Sequence, residues 1–235
     1  MKIRYFCIFL FLPFAIHAQA FHNSFITFRD AVYMQNSPLP ETMRLYTAAK
    51  QDIDKIFTDT DLYLSLSRCE CLMGISFWAE SRNSEAAAYF EQGIAWAEKS
   101  IELRPTSEGY RLLGTNISVL CDVRRSYGLT NFGKIEENAR KALELDPNNL
   151  MAKYLIASRY VAAPWPLADV RKGVALLDEI TRQNYLSLEK EDIFNLYIML
   201  EAACLKQKKN QEAKIWHDKA MTLYPTNNFI NLILK

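Results

Sequence analysis

Glycine is sparse in this chain, with seven in 235 residues, and nowhere does it form the glycine-rich loop that cradles a phosphate. Histidine is rarer still: His17, His22 and His217 are the three present. None of them lies in an HExxH pair or at a Cys-His spacing, so a zinc centre has no ligand set. No GxSxG elbow and no Ser-His-Asp grouping is visible. General acid-base work needs a positioned pair of titratable groups, and none can be assembled. Glu189, Glu191 and Asp192, with Lys190 among them, are the nearest approach to an acidic site. Carboxylates at a helix N-terminus, where the dipole favours them, explain that cluster without chemistry. The expectation is a protein that is not an enzyme and that uses no cofactor and no metal.

An excess of either charge is also missing: 28 basic residues face 27 acidic ones. Nucleic acid or an anionic membrane surface calls for a clustered positive surplus, so neither is an expected partner. Nor does any apolar run reach the roughly 20 residues that a membrane span needs. Tyr5 to Ile16 holds twelve residues and contains Pro13. It follows Lys2 and Arg4 and precedes Ala18-Gln19-Ala20, the basic, apolar, small-residue order of a secretory signal. Residues 1–20 are therefore expected to be a signal peptide, with Phe21 as the mature N-terminus; an uncleaved anchor is the alternative. The expected location is exported, periplasmic or secreted, with no stable membrane span after cleavage. Without Lys2 and Arg4, 26 basic residues face 27 acidic ones. No cysteine follows the apolar run, so a lipid anchor is not indicated.

Cys69, Cys71, Cys121 and Cys204 remain beyond the leader. An even count in an exported chain invites a disulfide framework, but geometry opposes one. Cys69 and Cys71, two apart on one helix, point about 200° apart. In a stacked register Cys121 lies about 15 Å from either, whereas a disulfide needs Cα atoms within about 7 Å. Four free, buried thiols are expected.

With so few glycines and helix formers throughout, the chain reads as all-α. Residues 21–57 form a helix pair that caps the N-terminal end: Ser24 can cap its first helix, Ser37-Pro38-Leu39-Pro40 ends it, and Glu41 to Phe57 follows. Leu45, Ala48, Ile53 and Ile56 form the apolar stripe of that second helix. Residues 58–235 then show four helix pairs, at about 61–105, 106–147, 148–183 and 192–225, with a tail at 226–235. Thr58-Asp59-Thr60-Asp61 is a capping cluster before a helix from Leu62 to Ala79. Met73-Gly74 and Phe77 are answered twelve residues after Gly74 by Ala86, Phe90 and Gly93, the small-aromatic-small spacing that lets two helices cross closely. That second helix runs to Leu103. The next pair opens at Thr106 and uses Tyr110, Leu113 and Gly114, then Ile135, Ala139 and Ala142 in a helix from Ile135 to Leu145. Its nine extra residues are expected to lengthen the first helix and the loop around Tyr127-Gly128-Leu129-Thr130. The third uses Ile156, Ala157 and Tyr160, then Gly173, Leu177 and Ile180, with a Pro164-Trp165-Pro166 corner between. The fourth uses Tyr197, Leu200 and Cys204, the turn Gln207-Lys208-Lys209-Asn210, then Ala213, Ile215, Trp216 and Ala220. The apolar tail Phe229 to Leu234 is expected to cap the last pair. Asn116-Ile117-Ser118 matches a glycosylation sequon, but a mid-helix position makes it a chance match.

These pairs resemble tetratricopeptide repeats, 34-residue helix-turn-helix units that bury their apolar faces only by stacking on copies of themselves. Glu201 departs from the family's small residue and His217 from its usual aromatic. The resemblance implies a helical-repeat solenoid of about four helix pairs with an N-terminal helical cap. It also implies a concave groove lined by the first helix of each pair, taking a protein or peptide. In this register the groove positions are Arg68, Cys71, Ile75 and Trp78, then Arg111, Thr115 and Ser118, then Tyr154 and Ser158, then Ile198 and Ala202. Trp, Tyr and Arg most often anchor interfaces; Trp78 and Tyr154 can equally fill gaps between helices. A narrower likeness lies in Ala157 to Leu177, which is similar to envelope repeat proteins that accompany TRAP-type solute transporters. Where that subgroup carries Gly-Gly-Asp, this chain has Leu167-Ala168-Asp169. That likeness implies the alternative role of an accessory in solute uptake, with a solute-binding protein as partner.

Overall fold

The computed structural model describes residues 12–163 and 168–228. Among these the structure is all-helical: α1 (Leu12–Met34), α2 (Leu39–Ile56), α3 (Asp59–Ala79), α4 (Asn83–Leu103), α5 (Ser107–Val123), α6 (Arg125–Leu145), α7 (Leu150–Ala162), α8 (Val170–Thr181), α9 (Lys190–Lys206) and α10 (Asn210–Leu223). A single 3-10 turn, Tyr185–Ser187, precedes α9. No described helix is long and apolar enough to cross a membrane.

Local chemistry sets most boundaries. Side-chain oxygens of Thr106, Asn149 and Asp169 accept the backbone N–H of Gly109, Ala152 and Lys172 at 2.9–3.0 Å, the caps that start α5, α7 and α8. Prolines 105, 147 and 225 stand two residues beyond Leu103, Leu145 and Leu223, where α4, α6 and α10 stop, because a proline cannot continue the ladder. Two expected caps differ. Ser24 lies inside α1, which begins at Leu12 and passes through Ala18-Gln19-Ala20 without a break. Thr58 makes no side-chain cap bond, and α3 starts at Asp59, three residues earlier than the periodicity places it. In α2 the buried stripe is Thr42, Ala49 and Ile53, one position round from Ala48.

The second pair departs most from expectation. Its extra residues form neither a loop nor a longer first helix: α5 has 17 residues, as α9 does, while α6 has 21 against 14 in α10. Tyr127 to Thr130 belong to α6, which follows α5 with Arg124 alone between them. Gly128 lies against the Cys121 backbone, where an added Cβ would meet the carbonyl oxygen at 3.3 Å. Its lack of a side chain serves a close approach, not a turn.

Each helix packs on the next, and each odd-numbered helix also packs on the next odd-numbered one, α1 on α3, α3 on α5, α5 on α7 and α7 on α9. This pattern is consistent with a helical repeat. The small positions are where crossings are closest. A Cβ on Gly74 would strike the ring of Phe90, and one on Gly93 would strike the Asn116 amide. Ala86, Ala139, Ala142 and Ala220 are each fully buried, whereas Ile215, expected on the same face as Ala220, is 55% exposed because it lies on the outer side of α10. Asn116 is buried too, donating to the Leu112 carbonyl at 3.0 Å and to Ser67 Oγ at 3.2 Å, so its sequon lies inside the core. Among the described residues, Cys69, Cys71, Cys121 and Cys204 are free and buried. Burial pushes the Cys69 and Cys71 thiols up to about 12. The expected corner at 164–166, Leu167 beside it and the apolar tail at 229–234 lie outside the described residues.

The first and last helix pairs also meet. Arg29 of α1 pairs with Glu189 at 2.9 Å and Glu191 at 3.1 Å, and Arg68 of α3 reaches the same two carboxylates. Tyr33 stacks on Tyr224 at 5.1 Å, meets Phe194 edge-on at 5.6 Å, and accepts the Asn195 amide at 2.9 Å. Beyond α10, Asn227 donates to the Tyr33 carbonyl at 2.6 Å, and the Asn228 N–H donates to Gln35 Oε1 at 2.8 Å. Side chains of α1 and α3 thus meet α9 and the residues after α10 along one seam.

Candidate functional site

The expected groove residues lie on α3, α5, α7 and α9, at positions three and four apart that share one side of each helix. Burial divides them. Ile198 and Ala202 of α9 are 1% and 4% exposed, Cys71 of α3 is 6%, and Arg111 and Ser158 are 8% each. These five are packed within the chain. Arg68, Ile75, Trp78, Thr115, Ser118 and Tyr154 are half-buried, so solvent reaches six of the expected positions.

Charge on this face is mostly paired. Arg111 Nε donates to Glu108 at 2.7 Å, and a second contact to the same carboxylate makes the pair bidentate. Burial alone would raise Glu108, but Arg111 holds it below the usual carboxylate range. Glu189 is likewise depressed: burial pushes it up, and Arg68 and Arg29 outweigh that. The Arg68 guanidinium also covers the ring of Phe25 at 4.6 Å. Between α3 and α5, Leu64, Arg68, Glu108 and Leu112 line a shallow recess of about 240 Å³.

Two carboxylates are not paired in this way. Among the described residues, the side chains of Asp122 and Asp192 have no hydrogen-bond or ion-pair partner. Desolvation pushes Asp192 up to about 6 although Arg111 and Arg68 pull it down, and desolvation alone pushes Asp122 up to about 6. Both are nevertheless solvent-accessible, Asp122 the more so: the protein crowds them without covering them. Tyr154 of α7 lies within reach of both charges, and its hydroxyl is raised by burial and by them. Sequence reasoning placed Tyr154 here but assigned Asp192 to a solvated helix end and passed over Asp122, which sits one turn beyond Ser118 on α5.

The two departures in the fourth pair meet each other: His217 Nδ1 lies 3.3 Å from the Glu201 carboxylate. Among the described residues, no group of three or more His, Cys, Asp or Glu side chains could hold a metal ion. No protein-family model matches this chain, and no curated protein matches it.

Proposed function

We propose that this chain is an exported, non-enzymatic scaffold, a tetratricopeptide-like solenoid whose inner face takes a protein or peptide segment carrying basic side chains. The observation that carries this reading is the pair of unpartnered carboxylates beside a half-buried tyrosine, Asp122 and Asp192 with Tyr154, supplied by three successive inner helices. Carboxylates kept partly desolvated with no cation in direct contact are costly to the folded chain, and a lysine or arginine from a partner would offset that cost. The Tyr154 ring, near enough for both charges to act on its hydroxyl, offers the same cation a π face. The helix-on-helix succession supports the solenoid, and the basic, apolar and small-residue order of residues 1–20 supports export.

The test is capture from an envelope extract by immobilised protein, comparing the native chain with the Asp122→Asn, Asp192→Asn double variant. A partner held by the native chain and bound about tenfold more weakly by the variant is the expected result. Equal retention by both chains overturns the inner-face assignment.

A further inference from the structure

Basic and acidic residues are nearly equal in number over the whole chain, at 28 against 27, yet the fold does not spread them evenly. Where α6, the end of α7 and the start of α8 come together, three cations gather about one carboxylate. Arg140 Nε donates to Glu136 Oε1 at 3.0 Å, and Arg159 Nη1 lies 2.8 Å from Glu136 Oε2. The Tyr160 hydroxyl donates to the same carboxylate at 3.0 Å, and Lys172 Nζ donates to that hydroxyl at 2.5 Å. Burial alone would raise Glu136, but Arg140, Tyr160 and Arg159 hold it below the usual carboxylate range. It is therefore charged at neutral pH, one anion among three cations. Of the neighbouring carboxylates, Asp169 accepts the Lys172 backbone N–H at 3.0 Å, and Glu137 is paired with Lys141 at 2.8 Å.

The surplus is held in place. The Arg159 guanidinium lies 5.1 Å from the ring centres of both Phe132 and Tyr160, and its side chain is 17% exposed. Lys172 Nζ lies 4.1 Å from the Tyr160 ring centre. Arg159 shares its carboxylate with Arg140, and its Nε has no hydrogen-bond partner. Among the described residues, Lys172 Nζ has no carboxylate partner. Like charges gathered so closely repel one another, and a second anion beside Glu136 would offset that repulsion.

We propose that this cluster is a phosphate site: a phosphate group, free or as an ester, lies beside Glu136 and accepts N–H groups from Arg159, Arg140 and Lys172. A phosphate monoester brings about −1.5 to −2 charges and three strong acceptor oxygens. A carboxylate brings one charge and two oxygens, and Glu136 already supplies that. The planar fork of arginine suits two phosphate oxygens at once. None of these residues belongs to the Asp122–Asp192 face, so the site stands or falls apart from the function proposed above.

The experiment takes the whole protein at constant ionic strength set with sodium chloride. Inorganic phosphate is titrated calorimetrically, and vesicles of phosphatidylcholine with or without phosphatidic acid are sedimented with the protein. Saturable binding of inorganic phosphate identifies a free ion; sedimentation only with phosphatidic acid identifies a lipid headgroup. Either result supports the site, and failure of both probes overturns it. Lys172→Gln should weaken the bound probe about fivefold and Arg159→Gln about tenfold. Glu136→Gln should tighten it about threefold by removing the competing anion. Glu137→Gln makes the same change of net charge one residue away and should leave binding unchanged. A cluster that serves stability alone would give no gain in Glu136→Gln, and diffuse charge would give equal gains in both glutamate variants. Either outcome overturns the proposal. Should Arg159→Gln fail to fold, Lys172→Gln and the two glutamate variants decide the matter.

Discussion

Gly74 precedes Phe90 by sixteen residues, and Glu201 precedes His217 by the same sixteen. Both spacings bring the first helix of a pair against the second, yet one crossing holds a ring lying over a glycine and the other a carboxylate facing an imidazole. The backbone between them is shared. Ser81 and Lys208 both take the left-handed conformation, at φ 60° and 62°. In the two turns Arg82 N–H donates to the Phe77 carbonyl and Lys209 N–H to the Cys204 carbonyl, each at 2.9 Å. The turn therefore fixes the path of the chain, and the crossing is filled by whatever pair fits, steric in α3–α4 and polar in α9–α10. The α5–α6 pair lacks this turn.

The comparison can be broken from its steric side first. Phe90 is fully buried, and Phe90→Ala should cost about 3–5 kcal/mol in chemical denaturation; a loss under about 1 kcal/mol would mean that the ring does not fill the crossing. On the polar side, Ala220 is 0% exposed, so Ala220→Leu should overpack the contact and cost about 1–3 kcal/mol. Exposed Lys219, one position away, covers the ring of Trp216 at 4.1 Å; Lys219→Leu should cost no more than about 0.5 kcal/mol. Equal midpoints for these two variants would remove the basis for the register.

A subtler effect distinguishes the chemistry of the two crossings. Burial raises the Glu201 carboxyl, against the pull of His217. The fold therefore prefers its protonated form: that stability is complete below the unfolded value of about 4.3 and is lost as pH rises through the higher folded value. Glu201→Gln should then gain about 0.5 kcal/mol at pH 8 and nothing at pH 4. A loss at pH 8 would show that the His217 contact outweighs desolvation. The smallest effect tests what the turns share. Left-handed backbone disfavours any side chain, so Ser81→Gly and Lys208→Gly should each stabilise by about 0.3 kcal/mol, after the added flexibility of the unfolded chain is offset. Unequal responses would mean that the turns are not equivalent.

The small-aromatic spacings were legible in the sequence because helix periodicity acts over three or four residues. That is how Gly74, Phe90, Gly93, Ala213 and Ala220 were placed, along with the buried, free thiols. The start of α6 was not legible, since Gly128 reads as a breaker until the Cys121 backbone beside it is known. The seam was less visible still. Nothing local marks Arg29 as a partner of Glu189, 160 positions away. The same blindness explains Ile198 and Ala202: their register places them on the inner face, but the contacts that bury them depend on how the helices pack. Nothing local to the start of α9 marks Asp192 as a carboxylate that surrounding protein desolvates.

Most contacts in this molecule lie between adjacent helices, which can pair as soon as both exist, whereas the seam joins positions as many as 194 residues apart. Drawing together so long a segment carries a loop-closure entropy that short pairings escape, and long-range contacts form late for that reason. Synthesis runs from the N-terminus, so α1 is made first, yet Tyr33 can meet Tyr224 and Asn227 only when almost the whole chain exists. Until then its aromatic face is uncovered. The first helix to be made is the last to be finished, and the interval in between is when this protein is most exposed to aggregation.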